Sequence, residues 1–372
     1  MEQTDKQTKE ALCWLRYILN PDTDLPTISD WLSLLVFAEK QALTGICLPE
    51  NCPANLPKEL LLQWIGYVQL IEQQNKLLNR RIEQLFTKLE EDGFQCCLLK
   101  GQGNATMYPS PLKRCSGDID MWVNTDEQTA YNYVKALFPN EKETYKHIHF
   151  PYFSDASIDI HVTPLKFYSG LYSKRLQKWI KQNTAEQFKN TIRLLETDRD
   201  IYVPVGKFNA IYQMGHMLIH LFDEGLGLRQ VVDYYYVLKC LDISDSERLE
   251  IAATINNLGM FRFAKAMMWI QSHVLGLPSE CCVVEPDERR GKELLTDILE
   301  CGNFGHHSQR YKGNKGFYLI GIIEAWRNIK LLSMAPREGT ARVFSKARTA
   351  IKHLFIHINL KNSIASINNA IV

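Results

Sequence analysis

The stretch Gly117-Asp118-Ile119-Asp120-Met121-Trp122-Val123 decides how the rest of the chain is read. Taken with period two it is a strand, with Asp118, Asp120 and Trp122 on one face and Ile119, Met121 and Val123 on the other. The second face is apolar throughout and suits burial. Aspartate is depleted in strands, so two at alternate positions call for a reason beyond folding. Their carboxylates would lie roughly 7 Å apart along an extended strand, and repulsion disfavours ionising both unless a cation stands between them. Magnesium, which takes carboxylate and phosphate oxygens, would remove that cost. The competing reading is a solvated sheet edge with two acids of no consequence.

Upstream, Phe94 to Leu99 is a short apolar run bounded by Gly93 and Lys100-Gly101, and reads as a buried strand. It runs through Leu98-Leu99-Lys100-Gly101-Gln102-Gly103-Asn104 into a glycine-bearing turn and a helix. Glycines let backbone N–H groups approach phosphate oxygens, and a helix N-terminus favours anions. Downstream, a helix is expected from about Glu127 to Phe138, ended by Pro139-Asn140. His147–Phe153 and Ser157–Val162 then alternate like strands around the tight turn Ser154-Asp155-Ala156, which predicts an antiparallel hairpin. Within it, Ser157-Ile158-Asp159-Ile160-His161 sets Asp159 and His161 on one face. A third carboxylate on a neighbouring strand completes a triad able to hold two metal ions, which at roughly 3.5–4 Å apart stabilise an in-line displacement at phosphorus. Thr191–Leu195 is a further short strand.

The flanks read as helix. Trp14, Leu15, Tyr17, Ile18 and Leu19 form one apolar stripe, and Trp31, Leu32, Leu34, Leu35 and Phe37 another after the cap signal Ser29-Asp30. A connector bearing Pro49, Asn51, Pro53, Asn55 and Pro57 leads into a long packing helix over Glu59–Glu91. Its apolar positions include Leu62, Val68, Leu70, Leu78, Ile82, Leu85, Phe86 and Leu89, and Gly93 caps its end. From Lys207 on, helices are expected at about 207–223, 226–241, 245–257, 259–275, 289–301, 315–333 and 339–360. The fold class is therefore α+β: a helical region over 1–92, a small mixed-sheet core over 93–200 and a helical region over 201–372. The basic amphipathic stretch Ala341–Lys361 is expected to pack on the protein or on a second copy in a homodimer, rather than on a membrane.

Composition narrows the function classes. The chain has 372 residues, 45% of them hydrophobic, and a net charge of +1, which argues against a broad basic footprint for nucleic acid. The polar start Met1-Glu2-Gln3-Thr4-Asp5-Lys6 has no apolar run behind it, and no stretch is long enough to cross a bilayer. The ten cysteines show no Cys-x-x-Cys or zinc spacing; Cys13, Cys96 and Cys97 sit among apolar residues and read as small buried hydrophobes. A reduced cytoplasm suits them.

Leu99-Lys100-Gly101, Tyr108-Pro109, Arg114, Ser116-Gly117-Asp118-Ile119-Asp120 and Ile158-Asp159-Ile160-His161 together resemble the bacterial family of uncharacterised nucleotidyltransferases, within the DNA-polymerase-β-like superfamily. The run His220-Leu221-Phe222-Asp223-Glu224-Gly225-Leu226-Gly227-Leu228-Arg229-Gln230-Val231-Val232-Asp233 resembles that family's helical part. The resemblance implies Mg²⁺ or Mn²⁺ as cofactor and a nucleoside triphosphate as substrate, with pyrophosphate released. It implies that Asp118 and Asp120 bind both ions, and that Asp159 binds the catalytic one and helps deprotonate the acceptor hydroxyl. Lys100, Gly101, Gly103, Arg114, Ser116, Gly117 and Arg229 are the expected nucleotide-binding residues, with His161, His220 and Asp233 behind them. The superfamily usually has Gly-Gly or Gly-Ser at the turn; here Gly101 is followed by Gln102, and Gly103 comes only afterwards. Lys100, Lys113, Arg114 and Ser116 are nearby substitutes that can hold phosphate by charge-assisted bonds.

Two alternatives stand beside this transferase. One is a nucleotide-binding regulatory module that has lost catalysis at the altered turn; the other is an enzyme modifying RNA or DNA. Binding alone does not need Asp159, which favours the enzyme. Elsewhere, His216 and His220 share a helix face, but Met217 stands where a zinc protease needs Glu. Arg229 and Asp233 have intrahelical ion-pair spacing. Tyr234-Tyr235-Tyr236 reads as core and interface rather than as a base-stacking platform, and Gly302–His307 as a turn that could reach the cleft.

Overall fold

A computed structural model of the chain describes residues 2–48, 53, 55–140, 147–303 and 317–348. Four helices come first: α1 (Glu2–Leu19), α2 (Trp31–Lys40), the one-turn α3 (Thr44–Cys47) and α4 (Lys58–Glu91). The cap signal before α2 is realised, since the Asp30 carboxylate accepts from the Ser33 N–H. On α1 the period of 3.6 turns Ala11, Trp14, Leu15 and Leu19 inward. Cys13 falls between those positions and is exposed, so the expectation that it is buried is corrected; Cys96 and Cys97 are buried as expected. Most of the connector 49–57, and the part of the expected 339–360 helix beyond residue 348, lie outside the described residues.

The sheet follows. Its elements are β1 (Cys96–Leu99), α5 (Gly101–Ala105), β2 (Ile119–Val123), α6 (Glu127–Leu137), β3 (Ile148–His149) and β4 (Ile158–His161). The strand order is β1-β2-β4-β3, with β2 parallel to β4 and the other two pairings antiparallel. The predicted hairpin of β3 and β4 is present, and the fold is the mixed-sheet α+β class expected. β2 sits inside the sheet and is buried along its whole length, so the solvated-edge reading of Asp120 falls away. The strand starts at Ile119 rather than Gly117, which leaves Asp118 just ahead of it.

Alternation then sorts the strands into two cores. Ile119, Met121, Val123, Ile158 and Ile160 pack with Leu78, Ile82, Leu85, Phe86 and Leu89 of α4 and with Ala130 and Val134 of α6. Two long-helix positions depart from the expected inward stripe: Leu62 and Leu70 are 69% and 63% exposed. They lie eight residues apart on one outer face of α4, off the stripe that ends in Leu85 and Leu89.

The remaining elements are α7 (Gly170–Gln187), β5 (Thr191–Arg193), β6 (Asp200–Tyr202), α8 (Gly206–Asp223), α9 (Leu228–Lys239), α10 (Asp245–Asn257), α11 (Phe261–Trp269), α12 (Glu288–Cys301) and α13 (Phe317–Lys330). β5 pairs with β6 in a separate two-stranded ribbon, and β6 is too short to carry a period of its own. α7 and α8 cover the second sheet face, where Trp122 meets Phe188 and Phe208 at centroid distances of 5.0 and 5.8 Å. Tyr234 and Tyr235 are fully buried on α9, as core residues. Residues 336–348 are helical and pack on the protein, with Arg342 paired to Asp223 and Lys346 to Glu324. Among the described residues no helix is long and apolar enough to cross a membrane.

One close approach fixes the loop that leads to β2. A Cβ added at Gly45 in α3 would stand 1.9 Å from the Lys113 carbonyl oxygen in the turn Pro111–Lys113. Both parties are backbone, so neither can swing away. Gly45→Ala should therefore destabilise the protein by at least the ~1–3 kcal/mol of ordinary overpacking, read as a lowered midpoint in thermal or urea denaturation. A change below about 0.5 kcal/mol would show that α3 and the loop part freely.

Candidate active site

Strand register builds the site. The parallel pairing places Asp120 beside Asp159 and Trp122 beside His161, and the antiparallel one places His149 beside Asp159. Leu99 stands on the other side of Asp120. One row across a single sheet face is therefore Leu99, Asp120, Asp159 and His149. Asp118, released from the strand, brings its carboxylate back over this row. One oxygen from each of Asp118, Asp120 and Asp159 lies within 4.8 Å of the other two. That is closer than the spacing along an extended strand, and it is a donor set suited to hard divalent cations.

Three histidines surround the carboxylates. His161 Nε2 lies 3.0 Å from Asp120 Oδ1, as a donor to an acceptor-only oxygen. His147 Nε2 and His149 Nδ1 lie 3.4 and 3.5 Å from the two oxygens of Asp159. Lys100 Nζ reaches Asp120 Oδ2 at 2.8 Å. Burial opposes ionisation of Asp120, but the Lys100 ammonium and the His161 N–H outweigh it and hold this carboxyl far below the usual aspartate range. Asp159 goes the other way: burial, with the charges of Asp120 and Asp118, raises it against the pull of His147 and His161. On acidification Asp159 is thus the first of the two to take a proton.

These groups open into a cavity of about 730 Å³. Its lining includes Asp118, Asp120, Asp159, His147 and His161 together with Lys100, Ser116, Gly117, Arg229, Thr163, Lys166, His216, His220, Glu224 and Asn303. Residues 28–276, which hold all of these except Asn303, match the family described as uncharacterised nucleotidyltransferase. The chain belongs to that family. No curated protein matches it.

In this nucleotidyltransferase the unusual turn has a structural explanation. Gly101 has φ +52°, a left-handed backbone that glycine adopts without strain, and a Cβ there would stand 3.7 Å from the Asp118 carbonyl oxygen. The Gln102 side chain does not face the cavity. It is 5% exposed and turned toward α4, donating to Asn79 Oδ1 at 2.8 Å and the Asn75 carbonyl at 3.4 Å. Gly103 packs against Val203 and Leu98 beneath the helix, away from the cavity lining.

Arg114 is also placed elsewhere than expected. Its guanidinium grips both oxygens of Asp233 at 2.6 and 2.7 Å, and Tyr108 Oη donates to the same carboxylate at 2.6 Å, all of it buried. The cavity is lined by neither residue. Asp233 is therefore held across the chain by Arg114, where helical spacing pointed to Arg229. Arg229 instead donates to the carbonyls of Cys115 and Ser116 at 3.2 and 2.8 Å, and Gly117 packs against its guanidinium. Arg229 thereby shapes the loop that delivers Asp118. Its own helix is set by Gln41, the residue that follows α2, whose Oε1 accepts from the Leu228 N–H at 2.9 Å.

His216 and His220 face each other with Nε2 atoms 3.1 Å apart on the cavity wall, so one donates and the other accepts. The Gly302 turn does reach the cavity through Asn303, whose backbone lies 2.8 Å from a Cβ added at Gly227. Residues 304–307 of that turn lie outside the described residues. His147, His149 and Lys166 were not singled out from the sequence. The alternation His147-x-His149, antiparallel to Asp159-x-His161, is the signal that could have found the two histidines.

Proposed function

We propose that this protein is a polymerase-β-like enzyme that transfers a nucleoside monophosphate from a nucleoside triphosphate to a hydroxyl or phosphate acceptor, with release of pyrophosphate and dependence on Mg²⁺ or Mn²⁺. The observation that carries the reading is the gathering of one carboxylate oxygen each from Asp118, just ahead of β2, Asp120 on β2 and Asp159 on β4 within 4.8 Å of one another. Divalent ions at these oxygens would supply charge stabilisation for the attacking and leaving oxygens of an in-line displacement. Asp118 and Asp120 would hold the ion that accompanies the triphosphate, and Asp159 would hold the catalytic ion and help take the proton of an acceptor hydroxyl. In the same cavity lining, Ser116 Oγ and the Gly117 backbone would offer donors to phosphate oxygens, with Lys100 and Arg229 as the nearby charges. Burial and the neighbouring Arg114 charge lower the Arg229 pKa, so an added anion is welcome there. Gln102 supports catalysis over mere binding: its side chain braces the turn from behind, and the front of the turn remains backbone. The His216–His220 side of the cavity is left for the acceptor.

Asp120→Ala should abolish the rise in thermal midpoint that Mg²⁺ with a nucleoside triphosphate gives to the wild-type protein, while the sheet still forms. All four common ribonucleoside triphosphates are tested, each with and without Mg²⁺. A wild-type protein unmoved by every combination would sink the reading.

A further inference from the structure

Lys100 is held in a backbone conformation that lysine rarely takes, with φ +39° and ψ −144°. Such residues persist only where the surroundings over-determine them. The register says what this one achieves. Leu99 pairs with Asp120 and shares its sheet face, so a Lys100 continuing the strand would point to the opposite, apolar face over α4 and α6. The reversal at Lys100 returns its side chain to the site, where Nζ meets Asp120 Oδ2 at 2.8 Å. His161 occupies the other oxygen at 3.0 Å, and the Asp120 side chain is 4% exposed. Each Asp120 oxygen therefore already has a protein donor. The charges in direct contact point the same way: Asp118, Asp120 and Asp159 with the Lys100 ammonium sum to two negative charges, which matches one divalent ion. A second ion calls for further anions, which a triphosphate brings.

We propose that Lys100 and divalent ions compete for Asp120, and that Lys100 yields the carboxylate only when a triphosphate offers phosphate oxygens to its ammonium in exchange. Ion and nucleotide then enter together, and the ion alone binds weakly. The inference rests on the metal and triphosphate reading above. Nothing covalent changes: one ammonium moves from a carboxylate to a phosphate.

The test is a titration with Mn²⁺ alone, free ion counted by electron paramagnetic resonance, on wild type, Lys100→Met and Lys100→Arg. Lys100→Met should tighten Mn²⁺ by about tenfold, since an ammonium no longer opposes the ion. It should also weaken α,β-methylene ATP, or the corresponding GTP, CTP or UTP analogue, by at least about tenfold at saturating Mn²⁺. Lys100→Arg keeps the charge and should keep the weak Mn²⁺ binding. A lysine with a merely structural role would not move the two affinities in opposite directions. Unchanged or weaker Mn²⁺ binding in Lys100→Met overturns the proposal.

Should Lys100→Met not fold, the wild type still decides. In ¹⁵N-lysine protein, the ammonium signal that Lys100→Arg removes should stay in place with Mg²⁺ alone and move when the analogue is added. A signal that moves fully with Mg²⁺ alone, or never moves, overturns it. If wild type binds Mg²⁺ with the analogue and only the Lys100 effects are missing, this inference alone falls. If neither ligand binds, the proposed function falls with it.

Discussion

Asp159→Asn is expected to bind Mg²⁺ with a nucleoside triphosphate within a few fold of wild type and to lose roughly 10²–10⁴-fold in turnover, the range of a displaced acid–base group. Asn keeps the shape, the β4 register and one carbonyl oxygen, and removes the negative charge and the proton acceptor. Asp118 and Asp120 remain for the ion that travels with the triphosphate. The raised Asp159 pKa fits this division: of Asp159 and Asp120 it is the one more inclined to take a proton, while Lys100 and His161 keep Asp120 ionised. Loss of turnover without loss of binding is the pattern of an interaction made mainly in the transition state. Calorimetric affinity and single-turnover adduct formation on one preparation give the comparison. Retained turnover would remove Asp159 from the mechanism and the three-carboxylate argument with it.

Arg114→Met is expected to be the most destabilising change, because it leaves the Asp233 carboxylate and the Tyr108 hydroxyl buried without their cation. The two side chains of the pair are 5% and 7% exposed. Breaking one side of such a pair costs about 3–5 kcal/mol, whereas replacing both sides with apolar groups is often close to neutral. Arg114→Met with Asp233→Leu should therefore recover most of the loss in urea denaturation. This also decides between two roles for Arg114. A stable single variant with poor nucleotide affinity would return Arg114 to the phosphate side, where sequence alone had put it. A strongly destabilised single variant, restored by the second change, leaves it as the brace behind the Arg229 loop.

Short-range spacing explains what could be read in advance. Asp118-x-Asp120 and Asp159-x-His161 carry their geometry locally, because a period of two fixes which side chains share a face. The helix caps and the alternation of Ile119, Met121 and Val123 are legible for the same reason. What escaped depends on partners far along the chain. Arg114 and Asp233 meet across 119 positions, and nothing in either segment distinguishes a buried pair from two cleft residues. Gln102 looks like damage to a phosphate turn until α4 supplies Asn75 and Asn79 behind it. His147 and His149 sit on or beside a strand of two residues, and only its pairing with β4 gives them a role.

The long helix α4 has 34 residues, an ideal length of about 51 Å, and it belongs to both cores. Trp64 and Val68 are buried with the helical flanks, while Leu78 through Leu89 cover the sheet. Between them, Asn75 Nδ2 holds the carbonyls of Leu112 and Arg114 at 2.6 and 2.7 Å, in the loop that runs to Asp118. The half that carries the sheet is therefore not a transplantable module. A fragment beginning at residue 93 would expose the apolar underside of its own sheet and lose the clamp on the loop that runs to Asp118. For anyone truncating, tagging or recombining this protein, the change from helix to sheet near residue 92 is no place to cut.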